Sequence, residues 1–374
     1  MDFSLLIELI TRGFSSMTLG SFLMIFIGLV LIALAVLKEY EPVLLLPIGF
    51  GCIIANLGMA AGNEGGLTYW LYQAGIKTEL FPLLIFVGVG AMIDFRPLLA
   101  MPQMVLLGAA GQFGIYGVLI LATLMGYPLN EAASIGVIGA IDGPTAIFVA
   151  SKLAPDMLGP IAVAAYSYMS LIPIIQPPIM RLMTSRKERL IRMEYAAKPV
   201  SSRAVILFPI VVTIVISVLA PDAAPLIATL MLGNLLRESG VVDRLSKAAQ
   251  NEIINITTLF LGLAIGATMT AESFLQWQTL GIMLLGALAF VLDTVAGLLF
   301  GKLMSFVTGG KVNPLIGACG ISAFPMAGRL TAKMALEEDY DNFILMHAMG
   351  SNTAGQLGSV IAGGLLLALV SGMI

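Results

Sequence analysis

Apolar residues run in long blocks along nearly the whole chain, separated by short polar or charged stretches. Twelve blocks can be marked: 17–37, 42–60, 80–93, 102–126, 131–153, 158–180, 204–220, 222–236, 255–270, 279–300, 312–334 and 343–373. At about 20 residues per bilayer crossing, they predict about 10–12 transmembrane helices and leave almost nothing for a soluble domain. The block at 80–93 is short and the one at 343–373 is long, which sets the spread of that count. Residues 1–16, ahead of the first block, have the pattern of an amphipathic segment lying at the interface. Glycine and proline interrupt several blocks, and inside a bilayer such residues mark close packing and broken helices. The expected fold class is an all-α polytopic membrane protein.

Composition removes the alternative. A chain of 374 residues would ordinarily be read as two or three soluble domains. Here 59% of residues are hydrophobic and 11% charged, against roughly 25% charged in soluble domains. Cys52 and Cys319 both fall in apolar blocks, too few for a disulfide framework or a thiolate metal site. No basic region precedes the first apolar run, so no cleaved signal peptide is expected. The sequence holds no phosphate-binding glycine loop, nucleotide motif or nucleophile elbow, which argues against ATP-driven transport by this chain, and no nucleic-acid partner is expected.

Charge decides sidedness. Arg181, Arg186, Lys187, Arg189, Arg192, Lys198 and Arg203 crowd one loop against two glutamates, so 181–203 is expected in the cytoplasm. Arg237, Arg244 and Lys247 mark a second cytoplasmic loop. Counting crossings from there places the acidic run Glu337, Glu338, Asp339 and Asp341 outside.

Residues 135–154, IGVIGAIDGPTAIFVASKLA, and 316–335, IGACGISAFPMAGRLTAKMA, share seven identities in twenty without a gap. They divide the chain into a first membrane repeat at 17–180, the loop 181–203, and a second repeat at 204–374. Each matched segment has a proline at its centre, Pro144 and Pro325, which predicts two broken helices. Duplicated halves with interrupted spans describe secondary transporters, whose ion sites lie between the repeats. Inverted repeats need an odd number of crossings between equivalent points, whereas the block count gives six. Either one block does not cross or the repeats are parallel.

Polar groups inside apolar blocks are costly and so mark function. Asp142 in GAIDGPTAIF leads: a carboxylate beside carbonyls freed by a proline suits a hard cation or a proton, with a helix cap as the bland alternative. The second break is flanked by Asn313, Ser322 and Arg329. Arg329 reads as an anion partner or as a snorkelling side chain. Asn352, Gln356 and Ser359 share one face of the last helix, as cation ligands or as interhelical glue. Tyr166, Ser167, Tyr168 and Ser170 stand at the equivalent place in the first half. Asp94 with Arg96 reads as a span end, Asp293 as an acid paired within the bundle, and His347 as a satisfied buried group.

At GAIDGPTAIF, AAYSYMSL, VNPLIGACGISAFPMAGR and GSNTAGQLGSV the chain resembles, over its whole length, the beta subunits of the sodium-translocating decarboxylases acting on oxaloacetate, methylmalonyl-CoA, glutaconyl-CoA or malonate. The resemblance implies two inverted repeats in a multi-pass protein of a prokaryotic inner membrane. It implies decarboxylation of carboxybiotin, with proton consumption, coupled to sodium export. Carboxybiotin would come on a biotin carrier protein, loaded by a carboxyltransferase alpha subunit, with a small gamma or delta membrane subunit and further copies of this chain in the complex. By motif it assigns catalysis to Asp142, Tyr168 and Arg329, cofactor binding to Arg329 and Gly317, and sodium binding to Asp142, Asn313, Ser322, Asn352 and Ser359. A cation/proton antiporter or sodium-coupled solute transporter is the competing class.

Overall fold

The computed structural model describes residues 17–39, 42–57, 66–194 and 199–373; the segment expected to be amphipathic at 1–16 lies outside them. Among the described residues the regular structure is helical throughout. Six helices are long and apolar enough to cross a bilayer: Leu19–Lys38, Met104–Leu124, Ser202–Leu219, Asp243–Thr268, Trp277–Val307 and Leu345–Ser371. Two bent pairs, Leu67–Ile76 with Leu80–Met92 and Pro155–Met169 with Leu171–Met183, raise the number to eight. Pro42–Asn56 and Ala224–Glu238, of 15 residues each, fall below that length criterion; counted with the eight they give ten helical segments among the described residues, within the expected 10–12.

A correction concerns the two matched blocks, which turn back instead of crossing. Leu129–Gly136 and Gly143–Leu153 are the arms of one hairpin: the Asn130 amide donates to the Leu153 carbonyl at 2.8 Å, bringing its two ends together. The second hairpin runs from Pro314–Cys319 through Met326–Glu338. Its two ends meet at the basic loop, where Asn313 donates to the Arg189 carbonyl at 3.0 Å and Glu338 accepts from Arg189 Nε at 2.7 Å.

These ends lie on opposite faces. The Trp277–Val307 helix begins beside the first hairpin, with Gln278 donating to Glu131 at 2.9 Å. It finishes at the basic loop, with Lys302 3.2 Å from Glu188. Between those points it passes Gly139 of the first hairpin at Ala289, and Gly317 of the second at Gly297. The hairpins thus enter from opposite ends of the same helix, and their tips meet where the Ser322 N–H donates to the Ala140 carbonyl at 3.3 Å. Five helical segments lie between them, Leu158–Met183, Ser202–Leu219, Ala224–Glu238, Asp243–Thr268 and Trp277–Val307, an odd number, consistent with entry from opposite faces. Below, the hairpin rooted at the basic face is the inner one and the other is the outer one.

The acidic run after the inner hairpin is not on the far side, because the hairpin returns to the face it left. Arg181 pairs with Glu337 at 3.2 Å, Arg186 and Arg189 with Glu338 at 3.4 and 2.7 Å, and Arg192 with Asp339 at 2.7 Å. Within the loop, Ser185 and Glu188 form a reciprocal capping box on the short helix Arg186–Arg189. Burial raises the Glu188 carboxyl, but hydrogen bonds from Ser185 and Lys302 outweigh it and leave it below the ordinary range. The hydrogen bond from Arg192 likewise lowers Asp339. Groups depressed in the folded state contribute stability above their unfolded values, near pH 4, and lose it as pH falls through the folded ones.

Arg189 side-chain exposure is 13% and that of Glu338 is 20%, so this pair is better shielded than most surface bridges. Arg189→Ala also frees the Thr184 carbonyl, which Arg189 caps at 2.5 Å. The expected cost is about 1.5–3 kcal/mol, read as a lower Tm at pH 7. An unchanged Tm at pH 7 would show that the loop is held without this pair.

Candidate functional site

The outer hairpin's tip is built to present one carboxyl. Leu129–Gly136 tightens into the 3₁₀ turn Val137–Ala140, and Ile141 then takes φ 52°, ψ 42°. A β-branched residue in the left-handed region is strained by roughly 1–3 kcal/mol, and that conformation swings the following residue out of helical register. Asp142 is extended, at φ −129°, ψ 95°, and Pro144 restarts the helix from a position where no backbone donor is needed. The Tyr166 ring fills the space that a β-carbon on Gly143 would take.

Asp142 is 6% exposed, and its Oδ2 is held by side chains from two elements. Thr145 donates from within the hairpin at 2.6 Å and the Gln356 amide from the Leu345–Ser371 helix at 2.9 Å. The Ser359 hydroxyl lies between that oxygen, at 3.4 Å, and the Gln356 carbonyl, at 3.0 Å. The bonds to side-chain donors favour a charged-group role over a simple helix cap.

The inner hairpin's break exposes carbonyls rather than a carboxyl, and three amide side chains meet them. Asn352 donates to Ile321 at 2.8 Å and Cys319 at 3.3 Å. Gln176 donates to Ala318 at 2.7 Å, and the Gln112 amide lies 3.1 Å from Gly320 and 3.3 Å from Gly355. Ser322 donates to Gly355 at 3.4 Å. The Asn352 carbonyl oxygen, in a side chain that is fully buried, has no hydrogen-bond partner. An orphaned acceptor in hydrocarbon is costly, and a cation would relieve it.

The predicted face of the last helix is therefore real but serves both hairpins: Asn352 reaches the inner break, Gln356 and Ser359 reach Asp142. The donor set is one carboxylate with neutral oxygens, the chemistry of a hard monovalent cation. Among the described residues no three His, Cys, Asp or Glu side chains are grouped to hold a metal. Sequence reasoning missed Thr145, Gln112 and Gln176. The signal for Thr145 was its place three residues after Asp142; the glutamines were amides inside apolar blocks.

Three assigned residues stand elsewhere. Asn313 spends its amide on the Arg189 and Ile191 carbonyls, at 3.0 and 2.9 Å, and its oxygen on the Leu315 N–H. With both amide hydrogens committed to the loop carbonyls, it is held at the hairpin's root. Gly317 is fully packed against Gly297 backbone, where a methyl would collide, so it is a contact point between helices and not an opening for a cofactor. The Tyr168 hydroxyl donates to the Met283 carbonyl, which leaves Tyr166 as the tyrosine beside the Asp142 break. Arg329 is exposed one turn past the inner break and forms no ion pair among the described residues. Asp94 and Arg96 do close a span end, at 3.3 Å, with Glu238 as a third partner. Cys52 and Cys319 are buried free thiols.

Comparison with known proteins follows the same residues. The family described as Na+-transporting oxaloacetate decarboxylase beta subunit matches residues 20–370. The chain is 53% identical over 359 residues to the methylmalonyl-CoA decarboxylase subunit beta of Veillonella parvula, across 96% of this chain and 95% of the relative. It is 52% identical over 360 residues to the glutaconyl-CoA decarboxylase subunit beta of Acidaminococcus fermentans, across 96% of each. With the probable oxaloacetate decarboxylase beta chain of Pasteurella multocida, identity is 46% over 423 aligned positions, across 96% of this chain and 97% of the relative.

Thr145→Val keeps the shape of the outer tip and removes the shortest bond to Asp142. Losing a hydrogen bond to a charged group corresponds to about 1.5–3 kcal/mol, or roughly 10- to 150-fold in affinity. The sodium concentration that gives half of the sodium-induced rise in Tm, measured against potassium controls, should increase by that factor. A curve superimposable on the parent's would remove Thr145 from the site.

Proposed function

We infer the function from one premise: the chain belongs to the family of Na+-transporting oxaloacetate decarboxylase beta subunits. It is the membrane subunit of a sodium-translocating, biotin-dependent decarboxylase, multi-pass in the bacterial plasma membrane. The reaction proposed for it is the decarboxylation of carboxybiotin coupled to sodium export. The bond between the ureido nitrogen and the carboxyl carbon breaks, CO2 leaves, and the nitrogen keeps the electron pair and takes a proton.

The observation that carries this reading is Asp142, buried at a strained break and bonded by Thr145, Gln356 and Ser359, with a second break in contact with it. Asp142 with Ser322, Asn352 and Ser359 is the proposed sodium site. Its carboxyl exchanges sodium for a proton as the site changes the face it opens to. Arg329 is proposed to take the anionic carboxyl of carboxybiotin, because it is an exposed cation without an acid partner on the inner hairpin. Tyr168 and Gly317 keep the hairpin-bearing helices seated, and Asn313 ties the inner hairpin to the loop.

Opposed hairpins support the division into two inverted repeats, 17–180 and 204–374. The carboxyltransferase alpha subunit, the biotin carrier protein, a small gamma or delta subunit and further copies of this chain complete the proposed complex.

In the assembled complex, Asp142→Asn should reduce sodium-stimulated decarboxylation of carboxybiotin by at least about 10²-fold. Arg329→Lys, which keeps charge but loses the planar fork, should raise the apparent KM for the carboxylated carrier with a smaller change in kcat. Sodium stimulation that survives in Asp142→Asn contradicts the site. An unchanged KM in Arg329→Lys removes that residue from carboxybiotin.

A further inference from the structure

One acid in the bundle has no part in that reading. Asp293 lies on the Trp277–Val307 helix and is fully buried. Its Oδ1 accepts the Gly114 N–H in the first turn of Phe113–Leu124, while its Oδ2 has no hydrogen-bond partner. The tip of the outer hairpin leans on the same carboxyl: a β-carbon on Gly139 would sit 2.9 Å from Oδ2, and one on Gly114 2.8 Å from Oδ1. Glycine at both places is what lets two backbones close around it.

The pairing expected from the sequence is absent, because no lysine, arginine or histidine forms an ion pair with Asp293 among the described residues. The titratable groups nearest it on the packed elements are Tyr116 on Phe113–Leu124, Tyr166 and Tyr168 on Leu158–Met183, Asp142 on the outer hairpin and Cys319 on the inner one; Glu131 lies at the far end of Leu129–Gly136. The cations on these elements sit at their ends and are engaged there or exposed: Lys302 pairs with Glu188, Arg181 with Glu337 and Lys152 with Glu79, while Arg329 and Lys333 are exposed on the inner hairpin. A carboxylate with a single donor and no counter-charge is strongly disfavoured away from water, whereas the carboxylic acid is tolerated.

We propose that Asp293 is a proton-binding site of the pump, loaded while the outer hairpin's tip is seated on it and unloaded when that tip moves. The proposal deepens the pump reading and rests on it, since each CO2 released consumes one proton. The balance is simple: the carboxylic acid passes its proton, through water, toward the ureido nitrogen that CO2 has left and becomes a carboxylate, and a solvent hydronium ion restores the acid and leaves water. The tip that covers Asp293 at Gly139 also carries Asp142 three residues on, so motion that changes access to one changes the surroundings of the other.

Two readouts test this. Infrared spectra of the full chain in lipid bilayers at pH 7 should show a protonated-carboxyl stretch that persists in Asp142→Asn and vanishes in Asp142→Asn/Asp293→Asn. Absence of that band from Asp142→Asn, or its survival in the double variant, overturns the proposal. If the double variant does not accumulate, hydrogen–deuterium exchange of Asp142→Asn decides, because a proton-binding carboxyl shifts its band and an absent or unshifted band overturns the assignment. In the assembled complex, Asp293→Asn keeps an acceptor for Gly114 and removes only the exchangeable proton. Its decarboxylation rate should fall by about 10²-fold, with a changed pH profile; parental rate and profile overturn the role in turnover. A parent complex without sodium-stimulated decarboxylation would instead sink the pump reading, and the infrared result stands or falls separately.

Discussion

Everything in this bundle follows from one requirement of hydrocarbon: a backbone that stops being helical there must find its hydrogen bonds inside the protein. Two segments break the rule of continuous helix, and the polar side chains of the interior are placed where those breaks leave carbonyls. Asn352, Gln112 and Gln176 all donate to residues 318–321. The outer break is met differently, by a carboxyl that accepts from Thr145 and Gln356. One tip thus offers filled carbonyls, the other a carboxylate, and the last helix, which carries the orphaned Asn352 oxygen, touches both. The proposed cation site uses the same residues that make the breaks tolerable.

Much of this was legible in the sequence because charge is scarce. Asp142 and the matched prolines stand out against apolar surroundings, and the spacing of Asn352, Gln356 and Ser359 put them on one face. The opposed entry of the two hairpins was hidden because a re-entrant hairpin and a crossing helix have the same apolar composition, so counting blocks treated both hairpins as crossings. One misplaced hairpin then sent Glu337 to Asp341 to the wrong side of the membrane. The return shows only in three dimensions, in contacts such as Arg189–Glu338, Arg192–Asp339 and Asn313–Arg189. Asn313 was assigned to the cluster because it neighbours the second break in sequence; its bonds to the loop carbonyls place it at the hairpin's root instead.

The basic loop is consequently more than a marker of topology. It is tied to both roots of the inner hairpin, through Asn313 on one side and Glu338 and Asp339 on the other, and it links the two halves of the chain. Among the described residues the outer hairpin's roots have fewer ties: Asn130 to the Leu153 carbonyl, Gln278 on Glu131, and Lys152 on Glu79 at 3.0 Å. The two tips are therefore anchored unequally. The outer one, which carries Asp142 and covers Asp293, is the one with fewer bonds to break if it moves.

The central claim is that the two hairpins enter from opposite faces and meet at Asp142. It is tested most directly by single cysteines at their roots, in a background carrying Cys52→Ala and Cys319→Ala, probed with a membrane-impermeant maleimide in sealed vesicles of known orientation. Lys311→Cys and Tyr340→Cys should label only from the cytoplasmic side, and Pro128→Cys and Asp156→Cys only from the other. Labelling of all four from one side, or of the two roots of either hairpin from different sides, would contradict the account.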